Sequence, residues 1–235
     1  MNRRDFLGSC TLLPSIAALA TADASADQTQ IRRYTRSLLV DIHGAPIRPA
    51  ALAAETNYVF QYPFAATPCF LLRLPEAIAP VPSLHRERGP PYVAPAGVGP
   101  ARNVVSFSAI CAHKLAYPTR DVSFIRYQKT RSSTSSGRVI HCCADHSVYD
   151  PMAGARVVAG PAPQPLASIA LEHDASKDEL WAFGTAGTEQ FGPFFEKYAF
   201  KLELEYGGLE RARKPVDATT VVRELTNYCR TTIEC

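Results

Sequence analysis

From Ile31 onward the chain is a succession of short apolar runs separated by breakers. SLLVDIHG, NYVFQYPF, CFLLRL, NVVSFSAIC, DVSFIRYQ, GRVIHCC, SIALEHD and ELWAFGT are rich in β-branched and aromatic residues. Most are bounded by Pro, Gly, Asp or Ser, the signals that end strands. This spacing predicts an all-β domain over 31–184, an antiparallel sandwich or barrel, with Trp181 in its core. The 19 prolines fall largely between the runs, where a missing N–H does no harm. Two stretches, 85–100 and 128–138, read as long loops, and no internal repeat is present.

Beyond Gly184 the pattern changes, which predicts a C-terminal extension of mixed structure over 185–235. FGPFFEKYAF is an aromatic cluster expected to pack on the chain's own β core. KLELEY alternates as a strand would, and DATTVVRELTNYC reads as a short helix capped by Asp217.

Composition changes this picture little. The chain has 235 residues, enough for one large domain with a tail, and a net charge of +3. That charge is too small to argue for nucleic acid or an anionic membrane surface. No apolar run reaches the roughly 18 residues of a membrane-spanning helix. The N-terminus is more informative. MNRRDFLGSCTLLPSIAALATADASA pairs Arg3 and Arg4 ahead of Phe6, Leu7 and a modest apolar run, and ends at Ala24-Ser25-Ala26. Residues 1–26 resemble a twin-arginine export signal, which implies a periplasmic protein that folds, commonly around a cofactor, before export. Membrane contact is expected only if this segment is retained as an anchor.

The candidate chemistry lies in two short motifs. Cys111 and His113 form C-x-H at the end of VVSFSAI, and Cys143 and His146 form C-x-x-H at the end of GRVIHCC. Two Cys-His pairs at strand ends can aim four donors at one point. Tetrahedral zinc would accept such a set, and so would a 2Fe–2S cluster with both cysteines on one iron and both histidines on the other. The pairing of Cys with His favours the cluster. Cys143 is preferred to Cys142 because it gives C-x-x-H rather than C-x-x-x-H, which leaves His141 as a strand residue.

CAHKL together with CCADHSVYDPMAGARVVAGPAPQPLASIALE resembles the cluster-binding region of Rieske proteins over about 105–184. FSAICAHK is similar to the small subunit of arsenite oxidase, and GPAPQPL to the proline loop of the Rieske subunits of cytochrome bc complexes. The resemblance implies a Rieske fold, a sandwich with a small cluster-binding subdomain. It implies Cys111 and Cys143 on the inner iron, His113 and His146 on the outer iron, and Ser147 and Tyr149 as hydrogen-bond donors to cluster sulfur. Three features depart from the family. Ala116 and Asp145 stand where bc-type subunits carry a bridging disulfide. The usual H-G-S-x-Y/F is shortened to H-S-V-Y. The spacer between the ligand pairs is about twice the usual length, mostly through QKTRSSTSSGR.

The remaining cysteines outside the signal, Cys69, Cys142, Cys229 and Cys235, could make two disulfides, with Cys229 and Cys235 close enough to pair. The basic loop with Lys129, Arg131 and Arg138 reads either as a solvated loop or as a docking patch for an acidic redox partner. His43, His85, His141 and His173 form no ligand pair, which argues against the second iron site of a Rieske oxygenase. The expected function is one-electron transfer between a larger oxidoreductase, a molybdenum enzyme by the arsenite-oxidase likeness, and a cytochrome-type acceptor. The alternatives are a quinol-oxidising subunit of a bc-type complex and an exported zinc-stabilised binding module.

Overall fold

The computed structural model describes residues 31–235, so the twin-arginine segment lies outside the described residues. Strands dominate, as the pattern of apolar runs requires. The largest sheet has eight strands in the order Thr219–Val221, Arg32–Val40, Glu179–Ala186, Ser168–Asp174, Val104–Ser108, Pro68–Arg73, Tyr58–Gln61 and Arg223–Glu224. Its pairings are antiparallel except that of Arg32–Val40 with Thr219–Val221, which is parallel. The two outermost strands belong to one stretch of chain and are separated only by Val222, whose N–H donates to the Val40 carbonyl at 2.7 Å. The sheet therefore curls until a single covalent segment spans its edges, which hides the unpaired edge groups that an open sheet exposes. Leu39, Phe60, Tyr62, Leu71, Leu180 and Val222 fill the interior.

The strand Pro68–Arg73 shows why the run CFLLRL carries no polar alternation. Cys69 and Leu71 face the interior of the curl, whereas Phe70 and Leu72 face a second sheet. A strand covered on both faces reads as continuous apolar sequence. The second sheet has four strands, Arg156–Ala159, Ser147–Asp150, Val139–Cys142 and Ile125–Gln128 in spatial order. All four lie between Val104–Ser108 and Ser168–Asp174, which are themselves neighbours in the large sheet. Residues 109–167 are thus an excursion from the large sheet. Phe107, Ile125, Tyr127, Ile140, Tyr149 and Leu225 pack the gap between the sheets.

The segment after Gly184 departs from its predicted elements. KLELEY is helical, within Ala199–Tyr206, not a strand. Lys, Leu and Glu are strong helix formers, and Tyr198, Leu202 and Tyr206 fall on one face at four-residue spacing against Ala66, Ile110 and Tyr117. The predicted helix over DATTVVRELTNYC is a single turn, Leu225–Tyr228, and the β-branched residues before it form the closing strands. FGPFFEKYAF forms the helix Phe191–Lys197, with Phe194 set edge-on at 4.9 Å to Tyr117. This aromatic cluster buttresses both ends of the loop that carries Cys111. Trp181 is half-buried, beneath the Arg36 guanidinium at 3.8 Å, rather than in the core.

Among the described residues one disulfide joins Cys143 to Cys235, while Cys69, Cys111, Cys142 and Cys229 are free and buried. The expected Cys229–Cys235 pairing is replaced because Cys229 points inward, its thiol donating to the Thr119 carbonyl at 2.7 Å. The last residues run across the outside of the four-stranded sheet. Thr231–Thr232 pairs in parallel with Val122–Ser123, Arg126 Nε donates to the Ile233 carbonyl, and Ser132 Oγ donates to the Cys235 carbonyl. The bond closes a loop of 92 residues in sequence separation. Cys235→Ser is expected to lower the unfolding free energy by about 2–4 kcal/mol, measured as a shift in denaturant midpoint against the oxidised native chain.

Candidate metal centre

Two loops of the excursion meet at its tip. The first leaves the strand Val104–Ser108 and folds back at once: Cys111 N–H donates to the Ala116 carbonyl at 2.8 Å, and Leu115 N–H to the Cys111 carbonyl at 3.0 Å. This holds Cys111 buried while His113 lies on the surface side. The second loop is the tight turn between Val139–Cys142 and Ser147–Asp150, where Ser147 pairs with Cys142 across the ladder. Asp145 and His146 N–H groups both donate to the Cys142 carbonyl, at 3.3 and 2.7 Å.

Strand alternation fixes which side chains of the second loop point inward. Ile140 and Cys142 face the packed core, so His141 and Cys143 face away. Cys142 Sγ, Cys111 Sγ and an Asp145 carboxylate oxygen lie within 4.8 Å of one another. Asp145 Oδ2 is 3.3 Å from Cys111 Sγ and 3.0 Å from His113 Nδ1. Two thiols, an imidazole and a carboxylate therefore converge.

This differs from the predicted set. Cys111 and His113 lie together against Asp145, but Cys143 is held in the disulfide and His146 turns outward beside His141, their ring centroids 5.6 Å apart. Their positions are taken by Cys142 and Asp145, which form C-x-x-D. With this register the Rieske-like pattern is not shortened: H-G-S-x-Y is matched in full length by Asp145-His146-Ser147-Val148-Tyr149. His146 then stands in the glycine position, and its φ of +59° is the left-handed conformation that favours glycine.

Ser147 and Tyr149 project toward the four donors. The Tyr149 hydroxyl is 3.3 Å from Cys111 Sγ and accepts a hydrogen bond from the Ala112 N–H at 3.1 Å. Either group can donate in the contact with sulfur, and the hydroxyl proton is the donor once Cys111 is a thiolate. Ser147 Oγ is fully buried with no hydrogen-bond partner. A buried hydroxyl without a partner is costly unless something further accepts its proton. Across this loop lies GPAPQPL. A Cβ at Gly160, whose φ is +83°, would lie 2.2 Å from the His146 carbonyl oxygen, so only glycine lets the proline loop approach this closely.

The electrostatics follow from this packing. A hydrogen bond from the Cys142 thiol pushes Cys111 down to about 7, with help from the Tyr149 hydroxyl and against the effect of burial. The same bond pushes Cys142 up, burial adding to it. Burial works to raise Asp145, but the Ser147 N–H and the Cys142 and Cys111 thiols hold its carboxyl below the usual carboxylate range. Burial and the adjacent Cys111 sulfur push Tyr149 up, so it remains a donor. The pair thus favours one thiolate, at Cys111, beside the Asp145 carboxylate, while Cys142 keeps its proton until a cation displaces it.

Two of the basic side chains of the 128–138 loop share one acidic partner while staying largely exposed. Lys129 Nζ and Arg138 Nε both reach the Glu55 carboxylate, at 3.2 and 3.3 Å. No helix of the described residues is long and apolar enough to cross a membrane.

No family model matches the chain. Among solved structures it is similar to the soluble domain of the Rieske protein II (soxF) from Sulfolobus acidocaldarius, with a TM-score of 0.49 and 26% identity over 66% of this chain and 82% of that one.

Proposed function

We propose that this chain is a one-electron carrier holding a Rieske-like 2Fe–2S cluster between Cys111 and Cys142 on one side and His113 and Asp145 on the other. The observation that carries the reading is the convergence of these four donors beneath two hydroxyls, Tyr149 aimed at Cys111 sulfur and Ser147 buried without a partner. Ser147, whose side chain also helps hold the Asp145 carboxyl low, and Tyr149 would be donors to the sulfides that a cluster brings. When bound, the cluster supplies a one-electron couple.

The chain's own residues set the conditions for that couple. Cys111, Cys142 and Asp145 are enclosed, with the Asp145 side chain only 3% exposed, while the His113 ring is 34% exposed. The imidazole edge is the short route between the centre and a partner. Tyr149 donates to a sulfur that becomes more negative on reduction, which stabilises the reduced state. Tyr149→Phe is expected to lower the midpoint potential while leaving the iron content intact. An unchanged midpoint in redox titration would remove the Tyr149 hydroxyl from this role.

Beside His113 a shallow concavity is lined by Lys114, Tyr117, Phe124, Ala144, Lys197 and Lys201. Its three lysines around an apolar floor suit an acidic redox protein better than the 128–138 loop does. The donor or acceptor in this proposal is a larger oxidoreductase or a cytochrome, met in the periplasm after export by the twin-arginine segment.

A carboxylate among the donors also suits zinc, so an exported zinc-stabilised module is the second reading. Metal and acid-labile sulfide analysis of the purified full chain separates the two. About two irons and two sulfides per chain support the carrier; about one zinc with no sulfide rejects it.

A further inference from the structure

A second group of soft donors lies on the outer face of the four-stranded sheet, separate from the centre at its tip. His141 is fully buried, and neither of its ring nitrogens has a hydrogen-bond partner. Donor atoms of His141, His146 and Cys235 lie within 4.8 Å of one another, and Cys143 Sγ is bonded to Cys235 Sγ. Alternation turns all of these away from Cys142, so none is used by the first centre. His146 is exposed, which gives a metal ion an entry path to the buried imidazole.

We propose that, in the thiol state, His141, His146, Cys143 and Cys235 form a Cys2His2 site for zinc. Tetrahedral zinc at about 2.0–2.3 Å sets its donors roughly 3.3–3.8 Å apart. Closure falls to His146, exposed at a turn, and to Cys235, half-buried on the outer face of the sheet. His141 already stands with both nitrogens free of other bonds. The tail is carried to the site by the Thr231–Thr232 pairing and by hydrogen bonds to the Ile233 and Cys235 carbonyls, none of which needs the disulfide.

In the newly made chain both sulfurs are thiols, and zinc binding displaces their two protons. Disulfide closure proceeds by exchange with a disulfide-bonded oxidant. Two electrons pass from the Cys143 and Cys235 sulfurs to the oxidant, whose S–S bond breaks to a dithiol as it takes up two protons. The Cys143–Cys235 bond forms and the zinc leaves. The tail is then clasped by metal before oxidation and by a covalent bond after it.

The site rests on the proposed register, in which Cys143 and His146 are not ligands of the first centre, and comparing the two redox forms of one chain cancels whatever zinc that centre itself takes up. Zinc bound by the full-length chain is titrated against a chromophoric chelator before and after reduction by a trialkylphosphine. The phosphine takes its oxygen from water and leaves two thiols. The reduced chain is expected to bind about one more zinc than the disulfide form. Cobalt(II) at the same site should show thiolate-to-metal absorption in the near ultraviolet. Cys235→Ser, at a half-buried position of the tail, should abolish the increment. His146→Ala should weaken it by at least the roughly 10- to 100-fold that loss of an outer partner alone costs. Equal zinc in the two forms, or an increment that persists in Cys235→Ser, overturns the proposal.

Discussion

Cys142→Ser is expected to abolish cluster binding, whereas Cys143→Ser retains the full iron content. The two residues are adjacent, yet the pleat of Val139–Cys142 sends them to opposite faces. Cys142 joins the packed core beside Ile140 and Tyr149, near Cys111. Cys143 is bonded to Cys235 on the outer face. Serine at position 142 removes a buried sulfur that nothing nearby can replace, because the remaining free cysteines outside the centre, Cys69 and Cys229, are committed to the Tyr62 and Thr119 carbonyls. Serine at 143 breaks only the disulfide and should cost about 2–4 kcal/mol of stability. Visible absorption and iron analysis of the two purified variants decide the matter. Iron lost from Cys143→Ser but kept in Cys142→Ser would return the ligand role to Cys143.

The second large effect concerns Asp145. Asp145→His is expected to raise the midpoint potential by about 125–350 mV. All-cysteine plant-type clusters lie near −400 mV and two-histidine Rieske clusters span roughly −150 to +300 mV. Exchanging two anionic ligands for neutral ones thus moves the potential by about 250–700 mV, and half of this is assigned to one exchange. The sign follows from charge. Asp145 is ionised at neutral pH, stabilised by the Ser147 N–H against its burial. An anionic ligand opposes the added electron, and imidazole removes that opposition. The native chain should therefore lie toward the low end of the Rieske range or below it. Redox titration of the variant against the native chain measures the shift, and a midpoint unchanged or lowered would exclude Asp145 as a ligand.

The large features of the fold were legible because they rest on local rules. The apolar runs became strands, and the aromatic cluster after Gly184 found the β core. KLELEY misled because its alternation fits a strand, while the face that decided the matter was Tyr198, Leu202 and Tyr206, set by packing on Ile110 and Tyr117. Closure of the large sheet by Thr219–Glu224 depends on pairing across more than 150 residues, which no local pattern encodes.

The site was half legible. Cys111, His113, Ser147 and Tyr149, read from spacing and resemblance, remain in the proposed site. The choice of Cys143 followed from preferring C-x-x-H, but strand periodicity carried the better signal. In GRVIHCC the apolar Ile140 marks the inward face, and period two then places Cys142 inward and Cys143 outward. The same register leaves His146 in a left-handed turn position and assigns the inward carboxylate to Asp145. The Cys143–Cys235 bond was not readable, because it depends on a tail that crosses the outer sheet at long range.

In the proposed centre a cluster would have a single imidazole ligand, His113, with the Asp145 carboxylate in place of a second. Pulsed EPR of the dithionite-reduced full-length chain, labelled with 15N-histidine, tests it most directly. The account predicts a 2Fe–2S signal whose strong nitrogen couplings come from one histidine and vanish in His113→Cys. Couplings from two histidines, with one lost in His146→Ala, would contradict it.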